Sequence, residues 1–179
     1  MLSFTIPKRV ELFLWAVTPA LITFFLFLFC TINKHIWGIN SAMPLLPLIP
    51  IFYWGRMQAS EMPLWFAFIV GILMDAISGL PVFGLSALLY MLFLMALNSR
   101  AHHLQKEGFM FIWWYFSMLL ATLCLLQFVT MSIFEKHLYG ISRIFLQWFL
   151  TAGLYPLFHK LFDRLYEKCQ QRRWLLTHS

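Results

Sequence analysis

Apolar runs of membrane-crossing length dominate this chain. About 30 Å of hydrocarbon calls for ~20 helical residues, and stretches of roughly 17 to 25 residues can be marked off along the sequence. Six are counted: about Leu12 to Ile32, Trp37 to Trp54, Pro63 to Ile77, Val82 to Leu97, Phe109 to Ile133 and Ile141 to Leu161. The third is about a turn short unless it begins near Ser60. A backbone in lipid must satisfy its own polar groups, so the expected fold is an all-α integral membrane protein, a six-helix transmembrane bundle. Composition agrees, since 61% of the 179 residues are hydrophobic and 11% are charged, too few polar groups to cover a globule in water. The first run follows Lys8 and Arg9, is too long for a secretory leader and has no small-residue cleavage site after it, so it reads as a retained anchor.

The basic residues set an orientation. With both termini on one side, that side holds Lys8, Arg9, Arg56, Arg100, Lys106, Lys160, Arg164, Lys168, Arg172 and Arg173, and the other holds Lys34, Lys136 and Arg143. Basic residues in short loops collect on the cytoplasmic side, so both termini are expected there. The net charge of +6 is then a topology signal, and nucleic acid is not an expected partner. The tail "HKLFDRLYEKCQQRRWLL" alternates apolar and basic residues. It reads either as the solvated end of the sixth helix or as an amphipathic segment on anionic lipid or a cytoplasmic partner.

No linker or long polar tract divides the chain, so residues 1–179 are read as a single polytopic domain. Pro44, Pro47 and Pro50 interrupt the second run. Each removes a backbone donor, so an irregular segment to about Pro47 or Pro50 is expected, with helix towards Tyr53 and Trp54. Small residues at four-residue spacing, Ala16 with Ala20 and Gly71 with Asp75, and loosely Ala152 and Gly153, permit close helix approach.

Catalytic constellations are missing: the chain has no phosphate loop, no HExxH, no paired cysteines and no GxSxG. Cys30, Cys124 and Cys169 form no disulfide framework or metal spacing. His102 and His103 belong to a polar loop, and His35, His137 and His159 flank spans as interfacial residues. No enzyme, cofactor or metal is expected. Asp75 stands apart, because an acid within an apolar run is normally paired or functional. Placed near the outer end of the third span, close to water, it is positioned to accept hydrogen bonds from the amides that open the fourth helix, around Val82 to Leu85.

Residues 43–88, "MPLLPLIPIFYWGRMQASEMPLWFAFIVGILMDAISGLPVFGLSAL", resemble the rod shape-determining protein MreD family. The resemblance rests on Pro44, the Tyr53–Trp54 pair, Pro63, a Gly71-x-x-x-Asp75-x-x-Ser78-Gly79 turn, and then Gly84, Leu85, Ala87 and Leu88. It implies a non-enzymatic subunit of the bacterial inner membrane that binds the bitopic protein MreC and supports wall synthases and MreB filaments. It also implies a fold similar to the S components of energy-coupling-factor transporters. A vitamin-binding S component is therefore the alternative, echoed by Ala16 and Ala20. The triple proline and the Asp turn match MreD better.

Overall fold

The computed structural model describes residues 21–28, 44–57, 63–78, 82–135 and 141–178, and every regular element among them is helical. In chain order these are α1 (21–28), α2 (Leu48–Met57), α3 (Leu64–Ser78), α4 (Leu85–Asn98), α5 (Ala101–Leu104), α6 (Phe109–Glu135) and α7 (Ile141–His178). Ala16, Ala20, Cys30, His35, Gly79 and His137 lie outside the described residues, as do the loops holding Lys34 and Lys136. One described helix, over Phe109–Phe134, is long and apolar enough to cross a membrane, and α3 and α4 are apolar but shorter.

The prolines set the form of α2. A turn at Leu46 and Pro47 leads into a helix that already begins at Leu48, so Pro50 falls in its first turn. The proline's missing N–H needs no intrahelical partner at that position, which is why the helix starts earlier than an irregular run to Pro50 would allow. The incoming backbone is held by α7, where Thr151 Oγ1 accepts from the Leu45 N–H at 3.0 Å and donates to the Gln147 carbonyl at 2.7 Å. At 10 residues α2 spans only about 15 Å. All residues from Leu48 to Arg56 are buried, so α2 is apolar nearly all round and forms the centre of the protein.

Around it the helices close a ring, α2 against α4, α4 against α6, α6 against α7 and α7 against α2, with α3 packed on α4. Each member of the ring sends one aromatic side chain to the middle. Phe52 of α2 lies 6.1 Å from Phe93 of α4, 5.0 Å from Phe116 of α6 and 5.6 Å from Tyr155 of α7. Phe116 and Tyr155 stack at 4.5 Å. These edge-on and stacked pairs add to the area they bury and fix how the four helices are rotated.

Pro156 lies inside α7 and leaves the Ala152 carbonyl without its usual helical donor. The indole N–H of Trp113, on α6, donates to that carbonyl at 3.0 Å. A second indole, Trp148 on α7, donates to the Ser117 carbonyl of α6 at 3.1 Å. The α6–α7 pair is thus latched from both sides. The basic tail does not form a separate segment, since α7 continues unbroken to His178. The loop holding His102 and His103 contains a helical turn, α5, anchored by buried Ala101 and Leu104, with both histidines exposed.

Candidate functional site

Polar groups gather at the two ends of α4, which its 14 residues set about 20 Å apart. At the first end, the motif residues of α3 and α4 form one unit. Gly71 meets the backbone of α4: a Cβ there would stand 2.3 Å from Ala87 Cα, 2.6 Å from Ala87 N and 2.8 Å from the Ser86 carbonyl oxygen. Only a glycine lets the two backbones come this close. One turn further along α3, Asp75 is thereby held over the start of α4. Its Oδ2 accepts from the Gly84 N–H at 2.9 Å and the Ser86 N–H at 3.1 Å, and its Oδ1 lies 3.1 Å from the Ser86 nitrogen.

These are the helix-opening donors, and a carboxylate on them is favoured both by hydrogen bonding and by the positive end of the helix dipole. Gly84 takes φ 92°, a left-handed conformation that favours glycine, and its carbonyl accepts the first helical bond from Leu88 at 3.0 Å. One expectation is corrected. Asp75 is 2% exposed, so it is buried under α4 and not lapped by water. Both of its oxygens are taken up by the amides of Gly84 and Ser86 at the start of that helix. Leu85 is the first residue of α4 and is buried, while Ser78 ends α3.

At the other end stand Tyr53 and Trp54, with groups that sequence reading assigned elsewhere. The Tyr53 hydroxyl donates to Asp163 Oδ1 at 2.6 Å. Asp163 Oδ2 is 2.9 Å from His159 Nδ1, one helical turn back on α7. The His159 ring packs against Tyr53, Phe109 and Tyr155 at 5.5, 5.0 and 5.6 Å. Trp54 packs edge-on against Tyr53 and also meets Tyr166. The Arg56 guanidinium sits 5.6 Å from the Tyr53 ring centre and is buried, although the charge pattern marks it only as a loop cation. Gln105 closes this end by donating to the Arg56 carbonyl at 2.9 Å and the Met57 carbonyl at 3.2 Å.

The motif therefore divides. Gly71, Asp75 and Gly84 come together, whereas Tyr53 and Trp54 belong to the opposite end, and Pro44 stands where the chain enters α2. Arg56, Thr151, His159 and Asp163 are the polar residues that sequence reading missed. Only the four-residue spacing of His159 and Asp163 signalled that two of them could meet.

Compared with family models, with curated proteins and with solved structures, the chain finds no match.

Proposed function

We propose that this protein is a multi-pass subunit of the bacterial inner membrane that serves the cell-elongation machinery in the manner of MreD. In this reading it is a non-enzymatic scaffold that binds an MreC-like bitopic protein and, through it, supports wall synthases and MreB filaments. The observation that carries the reading is the Gly71–Asp75–Gly84 unit: three of the residues behind the resemblance make one close-packed, capped helix turn. A six-helix membrane bundle is part of the proposal. It is supported by polar side chains held inside while Met110, Trp114, Met118, Leu125 and Ile133 of α6 and Phe145, Phe149 and Leu157 of α7 face outward. Lipid is the covering that suits such a surface.

Three measurements test it together. Reporter fusions near Gly79 and Gly140 are expected to read periplasmic, and fusions after Arg56, near Gln105 and at Ser179 cytoplasmic. Depletion in the host is expected to turn rods into round cells that still form septa, and mild-detergent purification to bring down a bitopic partner. Rods that persist while uptake of a vitamin fails would transfer the protein to the S-component class.

A further inference from the structure

Arg56 is 4% exposed, and its Nε has no hydrogen-bond partner among the described residues. No described carboxylate lies within the 4.0 Å of an ion pair with it. Asp163, the acid of the cluster, is already engaged through both oxygens, by the Tyr53 hydroxyl and by His159. A lysine in this position could shed its proton. A guanidinium stays charged, and burying it without an anion is unfavourable beyond what the face of Tyr53 returns. The Tyr155 hydroxyl is a second buried group with no hydrogen-bond partner among the described residues, and its ring packs on His159, which packs in turn on the Tyr53 ring beside Arg56.

We propose that Arg56 is the seat of a phosphate oxyanion, presented by an anionic phospholipid headgroup or as free phosphate. The guanidinium fork matches phosphate oxygens, and Arg56 stays charged at any pH that leaves the protein folded. The placement suits a headgroup. Arg56 lies where α2 and α4 end and α6 begins, beside exposed Gln105 and an Asp163 side chain that is 41% exposed. The orientation, and with it the choice of the inner leaflet, rests on the membrane topology proposed above. On that side the basic residues of the loops also concentrate anionic lipid.

The test uses the purified full-length protein in detergent micelles containing phosphatidylglycerol or phosphatidylcholine, or with inorganic phosphate in the buffer. Phosphatidylglycerol is expected to raise the thermal midpoint by several degrees over phosphatidylcholine. The gain should persist in Arg164→Gln, whose side chain is exposed on α7, and be mostly lost in Arg56→Gln. A matching gain from inorganic phosphate identifies free phosphate as the source, and a gain from the lipid alone identifies the headgroup. Should Arg56→Gln fail to fold, Arg56→Lys, which keeps the charge without the fork, is expected to show a reduced gain. A wild-type protein indifferent to phosphatidylglycerol and to phosphate overturns the proposal without any variant, as does stabilisation only by a co-purifying acidic protein. An undiminished lipid effect in Arg56→Gln also overturns it. Rod shape that survives depletion would sink the elongation reading while leaving this site standing.

Discussion

Gly71→Ala adds one methyl group at the closest approach between α3 and α4. The new Cβ would lie 2.3 Å from Ala87 Cα, and every atom it meets within 2.8 Å is backbone, so no side chain can swing away. Ordinary carbon contacts begin at about 3.5 Å, so the helices must part by roughly 1 Å. That motion stretches the Asp75 bonds to Gly84 and Ser86, now 2.9 and 3.1 Å, beyond hydrogen-bonding range. Overpacking contributes about 1 to 3 kcal/mol and the lost amide partners a similar amount. Alanine's better helix propensity returns about 1 kcal/mol. A net loss of roughly 1 to 5 kcal/mol follows from these terms.

Gly153→Ala is the matched control. It too replaces a helical glycine, but a Cβ there meets nothing within 4 Å, so it is expected to be neutral or to stabilise by up to about 1 kcal/mol. Reversible SDS titration in mixed micelles, followed by tryptophan fluorescence, measures both on one scale. If Gly71→Ala unfolds at the same SDS fraction as Gly153→Ala, the close approach does not hold Asp75 in place and the argument fails.

Asp75→Asn is expected to remain folded with a loss of about 1 kcal/mol, since one oxygen still accepts while the charge-assisted bond to the helix start is gone; Asp75→Leu leaves two amides unpaired at roughly 1 to 3 kcal/mol each and should deplete membrane-inserted protein on immunoblots. If Asp75→Asn accumulates normally yet loses its co-purifying partner, the charge is read by that partner. For the α6–α7 latch, Trp113→Phe should destabilise by about 1 kcal/mol or more, and by less in a Pro156→Ala background, where the residue 156 N–H can serve the Ala152 carbonyl. Strict additivity in that double-mutant cycle would show that the indole is not compensating for the proline.

Much of the helical skeleton was legible because it depends on local pattern. The starts of α6 at Phe109 and α7 at Ile141 coincide with the edges of apolar runs, and α3 and α4 fall within a few residues of their expected bounds. The short, wholly buried α2 was harder to read, because whether Pro50 breaks a helix or opens one depends on where the first turn begins. The exterior of α6 and the interior of α2 are both apolar, so composition alone could not say which of them is central.

The two polar ends differ in legibility for a physical reason. Asp75 and its donors are separated by 9 and 11 residues, so one stretch of sequence contains the acceptor, the turn and the helix it caps. The depth of the site was not visible, because it depends on how closely α3 and α4 pack, and no residue pattern states that distance. Tyr53 and Asp163 are 110 residues apart, and their bond exists only after α2 and α7 have packed. Arg56 was hidden more thoroughly. A buried acid draws attention because an apolar run seldom tolerates one, whereas an arginine at the end of a run looks like an ordinary topology signal. What distinguishes Arg56 is its burial with no acceptor for its Nε among the described residues, a property of the assembled helices. The phosphate proposal therefore needs the fold to be argued, while the capping of α4 by Asp75 could already be argued from the sequence.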